Sequence, residues 1–275
     1  MPGLPDILRE AVFNIEIEKG EKSDRQNGVM IKAQKERNLC AYKYEEGGHD
    51  IRSCKENSMG YSVAIDGPAG AGKSTIAKQI AKKMNFIYVD TGAMYRAMAL
   101  FLIRNNVSPD EKEKIEEICK EAKITIEYRD GEQVVLLDGE NVNGLIRTEE
   151  VGNMASASSV NGEVRKKLVA LQQELAKSAE VIMDGRDIGT CVLPEANVKV
   201  YLTADTRVRA KRRFDELMAK GEACDIDKIE ADIIERDYRD MNRETAPLKK
   251  ADDAVELDTS DLDIDGVVKA MKEII

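Results

Sequence analysis

From residue 59 onward, short apolar runs alternate with longer segments in which apolar residues recur every three or four positions. The apolar runs read YSVAID at 61–66, FIYVD at 86–90, EVIMDG at 180–185, VKVYLTA at 198–204 and DAVELDT at 253–259. Continuous apolar runs of this length are typical of strands that are buried on both faces. Because helix-like segments separate most of them, the pattern predicts an α/β fold in which a parallel sheet is covered by helices.

The alternation breaks between residues 107 and 150. There ITIEYRD, QVVLLDG and ENVNGLI follow one another as short strand-like runs, with turn signals at Asp130-Gly131 and Asp138-Gly139. We therefore expect an antiparallel β insert in the α/β core. Inserts at such points usually carry substrate specificity or a moving lid.

Residues 1–58 follow a different pattern, with charges of both signs and little sustained periodicity. Only LPDILREAVFNIEIE, at 4–18, favours a short helix. Two interpretations stay open: a real, largely disordered extension, or residues that a misassigned start codon has added before a natural start at Met59. We favour the second, because a strand begins almost directly after Met59 and a domain that starts with a strand needs nothing before it.

Composition narrows the class of partner and the compartment. The chain has 275 residues, a net charge of −10 and a pI of about 5.0, which argues against a general binder of nucleic acid or anionic membranes. No apolar run approaches the length of a membrane span, and five cysteines at irregular spacings predict reduced thiols and a cytoplasmic protein. Cys40, His49 and Cys54 lack a fourth metal ligand and fit no zinc spacing. The other cysteines are predicted to be small buried side chains: Cys119, Cys191 and Cys224.

The stretch after the first strand matches G-x-x-x-x-G-K-[ST] from Gly67 to Ser74. Such a loop wraps phosphate oxygens with backbone N–H groups, and a helix N-terminus completes the anion site. The motif predicts that Lys73 reaches the outer phosphates as a catalytic residue and that the Ser74 hydroxyl binds the Mg²⁺ that accompanies ATP. The predicted ATP-binding residues are Gly67, Pro68, Ala69, Gly70, Ala71, Gly72, Lys73, Ser74 and Thr75. Three- and four-residue spacing predicts a helix directly afterwards: Ile76, Ala77, Ile80, Ala81 and Met84.

Arginine content helps to separate the classes of P-loop protein. The chain lacks the N-K-x-D motif by which GTPases recognise guanine, and an oligomeric ATPase would normally need a longer chain. Two helix-like segments carry arginines instead: Arg207, Arg209, Arg212 and Arg213 after a cap at Asp205 or Thr206, and Arg236, Arg239 and Arg243, which the spacing places on one helical face. Arg96 and Arg186 follow the second and third strands, at the edge where open α/β sheets bind ligands. Because guanidinium groups bind phosphates through paired hydrogen bonds, the sequence favours a small-molecule kinase.

Residues 59–275 resemble the bacterial cytidylate kinases, which transfer the γ-phosphate of ATP to CMP or dCMP. The resemblance runs through IDGPAGAGKST, VDTGAMYRAMAL, IRTEEVGNMAS, DGRDIGT and ERDYRDMNRETAPL. It implies a P-loop nucleoside-monophosphate kinase fold with a five-stranded parallel sheet, a monophosphate-binding insert at about 107–165 and an arginine-rich lid at about 205–243. It also implies a cytoplasmic, ATP-dependent (d)CMP kinase that uses Mg²⁺ and binds neither nucleic acid nor membranes. We expect it to act as a monomer.

The resemblance also implies a monophosphate site in three groups. These are Ser156, Arg165 and Asp187 toward the cytosine, Arg236 and Asp240 toward the ribose, and Arg96, Arg186 and Arg243 toward the α-phosphate, together with Thr91 and Tyr95. Cytosine suits the first group, because its O2 and N3 accept hydrogen bonds that Arg165 can donate, whereas its amine donates to Asp187.

The domain after residue 58 contains no histidine, and the proposed chemistry needs none, because transfer to an anionic phosphate depends on positioning and charge neutralisation. Lys73, Arg186, Mg²⁺ and lid arginines would spread the developing charge. Within the lid we expect Arg209 and Arg213 to contact the transferred group. Two alternatives stay open, a kinase of another pyrimidine monophosphate such as UMP and a nucleotide-binding module without turnover. Asp187 argues against UMP, because uracil presents an oxygen where cytosine presents its amine, and the intact Lys73 argues against the second.

Overall fold

The computed structural model of this protein describes residues 15–17, 31–33, 60–129 and 131–275. Within these ranges the strands are β1 (Ile15–Ile17), β2 (Ile31–Ala33), β3 (Ser62–Asp66), β4 (Ile87–Asp90), β5 (Ile124–Arg129), β6 (Glu132–Leu137), β7 (Glu140–Asn141), β8 (Val181–Asp184), β9 (Val198–Thr203) and β10 (Val255–Asp258). The α-helices are α1 (Lys73–Met84), α2 (Thr91–Arg104), α3 (Lys112–Ile118), α4 (Glu149–Ser158), α5 (Gly162–Ser178), α6 (Thr206–Ala219), α7 (Ile226–Asn242) and α8 (Ile264–Ile274). A π-helical turn, Ile188–Val192, lies between β8 and β9.

Strands β10, β9, β3, β8 and β4, in that order, form one parallel sheet. The central strand β3 places Ile65 beside Val200 of β9 and Asp184 of β8. Every residue of β3 and β8 is buried, which explains why these strands read as continuous apolar runs. The five predicted strands and the five-stranded parallel core are therefore confirmed.

Helices cover both faces of this sheet and bury two separate apolar clusters. Strand β3 contributes Ala64 to one cluster and Ile65 to the other, and alternate residues of a strand point to opposite faces. Helix α2 packs in the first cluster through Met94, whereas α1 and α8 pack in the second through Ile80 and Met271. The predicted covering of the sheet by helices is confirmed, and the carboxyl ends of the strands are left to meet at one edge.

The insert forms a second, antiparallel sheet in the order β5-β6-β7. Positive φ angles occur at the predicted turns: Gly131 (78°), Asp138 (51°) and Gly139 (84°). The prediction of a strand through residues 140–146 is wrong after Asn141, where β7 ends. A side chain takes over the pairing, because Asn143 Oδ1 accepts from Val135 N at 3.0 Å and Asn143 Nδ2 donates to Gln133 O at 2.8 Å. The backbone of β6 is thus satisfied without a longer partner strand.

The insert shares the core of the main domain. Ile126, Leu137 and Ile146 are buried in the same apolar cluster as α2 and α5. Gln133 fastens β6 to the end of β4, because its Oε1 accepts from Asp90 N at 2.7 Å and its Nε2 donates to Asp90 O at 3.2 Å. The limits given above for the insert and the lid stay predictions.

The helix predicted over residues 4–18 is wrong at Ile15–Ile17, which forms β1 and pairs antiparallel with β2. Alternation of isoleucine with glutamate is a strand pattern, and β-branched side chains favour the extended backbone. The rest of that segment and Met59 lie outside the described residues, so both interpretations of residues 1–58 stay open.

Within the described ranges, no helix is long and apolar enough to cross a membrane, and no three His, Cys, Asp or Glu side chains are grouped so that they could hold a metal ion. Burial of the cysteines is confirmed for Cys119, whereas Cys191 is exposed and Cys224 is half-buried. Cys191 is exposed although it lies within the π-helical turn, whose other apolar residues Ile188 and Val192 face the core. The cysteines and histidine that were set aside as metal ligands lie outside the described residues: Cys40, His49 and Cys54.

Candidate active site

A cavity of about 880 Å³ opens at the sheet edge where the parallel strands end. The P-loop, the start of α2, the segment after β8 and the lid helices α6 and α7 all line it. All ten residues predicted for the monophosphate site line this cavity: Thr91, Tyr95, Arg96, Ser156, Arg165, Arg186, Asp187, Arg236, Asp240 and Arg243. The P-loop contributes Ala69 to Thr75, whereas Gly67 and Pro68 do not line the cavity; the lid contributes Arg209 and Arg213.

Glycine allows the P-loop to take its shape. Gly70 and Gly72 have φ angles of 73° and 85°, in the left-handed region. Gly67 packs on β9 so closely that a Cβ atom there would lie 2.0 Å from the carbonyl oxygen of Leu202. Helix α1 begins at Lys73, so the N–H groups of its first turn, which have no partner within the helix, lie beside the cavity.

Lys73 is buried beside the phosphate-binding backbone. Its Nζ donates to Pro68 O at 2.7 Å. Burial and the positive charge of Arg186 lower the pKa of Lys73, and the nearby Asp184 carboxylate opposes that shift. An anion bound in the cavity would oppose this lowering of the pKa of Lys73, because an opposite charge favours the ionised form.

Asp184, the last residue of β8, is a functional candidate that sequence reasoning missed. Ser74 Oγ donates to Asp184 Oδ2 at 2.8 Å, and Tyr88 Oη donates to Asp184 Oδ1 at 2.8 Å. Burial and the negative charge of Asp90 raise the pKa of Asp184. A P-loop hydroxyl beside a strand-end carboxylate is the oxygen donor set by which P-loop enzymes hold Mg²⁺. An acid that ends the apolar run VIMD was the signal available in the sequence.

Asp187 joins two buried arginines. Its Oδ2 accepts from Arg165 Nη2, and its Oδ1 accepts from Arg243 Nη2 at 3.3 Å. Arg165 Nη1 also donates to Tyr95 Oη at 3.4 Å, and Arg243 Nη1 donates to Ser159 Oγ at 3.4 Å. The carboxylate and both guanidinium groups are at least nine-tenths buried, so each holds the others in place.

Further arginines make the cavity strongly positive. Arg186 Nε donates to Asp240 Oδ2 at 2.8 Å. Burial and the positive charge of Arg186 lower the pKa of Arg236 to about 10, and burial and the charge of Arg147 lower the pKa of Arg96. Both lowered pKa values mean that the charged guanidinium groups are poorly compensated by nearby negative charge. A phosphate bound in the cavity would therefore stabilise their charged forms.

The side chains of Asp66 and Thr91 form hydrogen bonds to the backbone at the end of β8 and just after it. Asp66 Oδ1 accepts from Ile188 N at 2.8 Å, and Asp66 Oδ2 accepts from Gly189 N at 2.7 Å. Thr91 Oγ1 donates to Asp184 O at 2.7 Å. Burial raises the pKa of Asp66 to about 6, against the opposing effect of those two N–H groups. Sequence reasoning assigned Asp66 to the first strand and gave it no role at the site.

The lid arginines fall into different environments. Arg209 is buried, and all three of its side-chain nitrogens donate to protein acceptors. Arg213 is half exposed at the cavity and pairs with Glu216 at 2.9 Å. Arg239, which the spacing placed on one helical face with Arg236 and Arg243, does not line the cavity and pairs with Glu235, one turn earlier on α7, at 3.6 Å.

A P-loop at the start of a helix, a strand-end carboxylate and an arginine-lined pocket on one edge of a parallel sheet define a P-loop kinase. The family model described as cytidylate kinase matches residues 63–275. The chain belongs to the cytidylate kinase family.

Curated relatives agree with that assignment. The cytidylate kinase of Caldicellulosiruptor bescii is 51% identical over 213 residues, which cover 78% of this chain and 94% of that protein. The cytidylate kinase of Lactobacillus johnsonii is 50% identical over 223 residues, covering 80% of this chain and 97% of that protein. Among solved structures, a shikimate kinase from Bacteroides thetaiotaomicron superposes with a TM-score of 0.40 at 15% identity, over 78% of this chain and 97% of that one.

Proposed function

We propose that this protein transfers the γ-phosphate of ATP to CMP or dCMP and so forms ADP with CDP or dCDP. The observation that carries the proposal is one cavity that holds both a P-loop and the complete set of ten predicted monophosphate residues. An open P-loop alone would fit many nucleotide-binding proteins, whereas an arginine-lined pocket opposite the P-loop needs a second anion. The acceptor phosphate of a nucleoside monophosphate supplies it.

Lys73 and the first turn of α1 would bind the ATP phosphates, and Ser74 with Asp184 would hold the Mg²⁺ ion. When bound, the ion neutralises charge on the phosphate oxygens during transfer. Among the lid arginines, we now assign contact with the transferred phosphate to Arg213, because its side chain is half exposed at the cavity. All three side-chain nitrogens of Arg209 already donate to protein acceptors, and only one N–H of Nη2 has no partner among them, so we rank its predicted phosphate contact below that of Arg213.

On the acceptor side, Arg96, Arg186 and Arg243 would bind the α-phosphate, and Arg236 with Asp240 would bind the ribose. The base would lie against three residues: Ser156, Arg165 and Asp187. Asp187 can orient both of its arginine partners and still accept from the cytosine amine, because a carboxylate offers about four lone-pair sites. The half-buried arginine cluster supports rapid capture of an anionic substrate in spite of the negative net charge of the chain.

A kinase acting on UMP is the competing assignment, and one observation favours it: both Asp187 oxygens are already bound by arginines. A coupled assay of ADP release with CMP, dCMP, UMP and AMP separates the two. We expect turnover with CMP or dCMP that exceeds turnover with UMP by at least about tenfold, the discrimination of one hydrogen bond to a charged group. Equal rates with CMP and UMP would favour the alternative, and no ADP release with any acceptor would refute a kinase.

We also propose a cytoplasmic monomer. One chain supplies every residue of the cavity, so no partner is needed to complete the site. The use of ATP supports the cytoplasm, as do the three cysteines of the described residues, Cys119, Cys191 and Cys224, which are free thiols. The net charge of −10 supports a protein that binds neither nucleic acid nor membranes. Light scattering during gel filtration tests the oligomeric state, and a mass of two chains would contradict the monomer.

A further inference from the structure

The peptide of Ala69, in the middle of the P-loop, is held from the lid on both of its polar sides. Ala69 N donates to Asp237 Oδ1 at 3.1 Å, and Arg209 Nη1 donates to Ala69 O at 2.8 Å. Arg209 Nη1 also donates to Asp237 Oδ2 at 2.5 Å, which closes the group. The side chains of Arg209 and Asp237 are 6% and 11% exposed, so these contacts are almost free of water.

Two hydrogen bonds hold Arg209 in place independently of Asp237. Its Nε donates to Ala204 O at 2.9 Å, directly after β9, and its Nη2 donates to Thr206 Oγ1 at 2.9 Å. Helix α7 then rests on the P-loop: a Cβ atom at Gly70 would lie 3.9 Å from Ile233 Cδ1, one helical turn before Asp237. Arg209, on α6, is therefore held in place by contacts that do not involve α7, and Asp237 is the residue through which α7 binds it.

Helix α7 carries two of the predicted acceptor residues, Arg236 and Asp240, and a third, Arg243, directly follows its last residue. Asp240 and Arg243 pair with Arg186 and Asp187 of the acceptor pocket. Asp237 thus lies on a helix that contacts both the P-loop and the predicted acceptor residues, with its carboxylate toward the P-loop. A buried carboxylate and guanidinium that lose each other leave two unpaired charges, so this contact favours a fully seated helix over a partly lifted one.

We infer that Asp237 and Arg209 are positioning residues that form a latch between α7 and the P-loop, and that this latch makes binding of ATP and binding of the acceptor nucleotide strengthen each other. The inference rests on the proposed function for the identity of the acceptor. ATP phosphates order the P-loop, the P-loop seats α7 through Ala69, and the seated helix presents its acceptor residues. Linkage requires the effect to run equally in the reverse direction.

A second ion pair provides a matched control. Arg207 Nη1 contacts Asp227 Oδ1 and Glu230 Oε2 at 2.6 Å each, so it also joins α6 to α7. Its side chain is 50% exposed and does not touch the P-loop. If lid ion pairs affect nucleotide binding only through general stability, Asp227→Asn should weaken the coupling as well. If the latch is responsible, only Asp237→Asn of these two variants should weaken it.

Titration calorimetry on the full chain with Mg²⁺ tests the latch without turnover. The dissociation constant of CMP is measured alone and with a saturating non-hydrolysable ATP analogue, and that of the analogue is measured alone. For the wild type and Asp227→Asn we expect the analogue to tighten CMP by about 5-fold or more, the low end of typical coupling between sites. For Asp237→Asn we expect that factor to approach 1 and the analogue alone to bind about 10-fold more weakly, the loss of one charged hydrogen bond. CMP alone should change little, because the acceptor ion pairs of α7 remain.

Unchanged coupling in Asp237→Asn, equal losses in Asp227→Asn, or a wild type without coupling would each overturn the latch. If Asp237→Asn does not fold, as judged by circular dichroism, Arg209→Lys is measured in its place. That variant keeps the charge, but a single ammonium cannot donate to Ala204 O and Thr206 Oγ1 while it also reaches Ala69 O and Asp237, so we expect the same loss of coupling. A wild type that binds the analogue and not CMP would refute the proposed function, and the affinity of the analogue for Asp237→Asn would still decide the P-loop contact.

Discussion

Replacing Asp187 with alanine distinguishes two roles of this carboxylate: recognition of the cytosine base and positioning of its two arginine partners. The carboxylate accepts from Arg165 and Arg243, whose side chains are 8% and 9% exposed. Removing one partner of a buried ion pair costs about 3–5 kcal/mol when the charge left behind has no other partner. Both arginines keep one, since Arg165 still reaches Tyr95 and Arg243 still reaches Ala246 O at 2.7 Å. We therefore expect a loss of unfolding free energy at the low end, about 3 kcal/mol.

The loss of substrate recognition is separate from that loss of stability. Cytosine forfeits a hydrogen bond from its amine to a carboxylate, worth about 1.5–3 kcal/mol, and uracil never makes it. Displaced arginines weaken both nucleotides alike. The ratio of kcat/KM for CMP to that for UMP should therefore fall by about 10- to 150-fold in Asp187→Ala.

Steady-state assays with both nucleotides, below the melting temperature of the variant, measure that ratio. Asp240→Ala is the control, because Asp240 holds Arg186 and faces the ribose side of the pocket. It should lower kcat/KM for CMP and for UMP by the same factor. If the ratio in Asp187→Ala equals that of the wild type, Asp187 orients arginines and does not read the base.

The remaining predictions concern the P-loop, a buried acid and the N-terminal segment. Lys73→Ala should lower kcat by at least about 100-fold with little change in melting temperature, since positioned charges in phosphoryl transfer carry effects of that size; full activity would contradict the phosphate role. Asp66 has a pKa raised from 3.8 to about 6 by burial, so the native state binds its proton more tightly than the unfolded state and stability is lost as pH rises through that window. The unfolding free energy of the wild type minus that of Asp66→Asn should fall by about 2 kcal/mol between pH 4 and pH 6.5, and a flat difference in urea titrations would refute the raised pKa. A chain that starts at Met59 should match the full chain in melting temperature and turnover, whereas a clear drop in either would show that residues 1–58 stabilise the domain.

The apolar pattern of the sequence was sufficient to predict the strands of the parallel sheet, but it was insufficient to predict the contacts between side chains. Strands such as β3 are buried on both faces, so their sequence is apolar throughout and needs no partner to be recognised. The prediction of a strand over residues 140–146 was wrong because Asn143 pairs with β6 through its side chain, and the apolar periodicity of a sequence does not reveal such a contact. Motifs that are each contiguous in the chain were sufficient to select Lys73 and the ten predicted monophosphate residues, which line one cavity; their roles stay predictions.

Arg209 shows where such reasoning ends. Its place in an arginine-rich helix led to a predicted phosphate contact, which stays a prediction, whereas its contacts with Ala69 and Asp237, 140 and 28 residues away, were not predicted. The sequence analysis did not select Asp184 for the same reason: its candidate role depends on contact with Ser74, which is 110 residues away in the chain. Spacing along one helix predicts which side chains share a face, and it cannot predict which of them finds a buried partner from another element.

Transfer of a labelled phosphate tests the central claim most directly. The purified full chain is incubated with Mg²⁺, CMP and ATP labelled at the γ-phosphate, and the products are separated and identified. We expect the label in the β-phosphate of CDP, in step with the ADP formed, and labelling of CDP that is at least about 100-fold slower when Lys73→Ala replaces the wild type under the same conditions. Label that appears as free phosphate, or stays in ATP while CMP is unchanged, would contradict the assignment of this cavity to phosphoryl transfer.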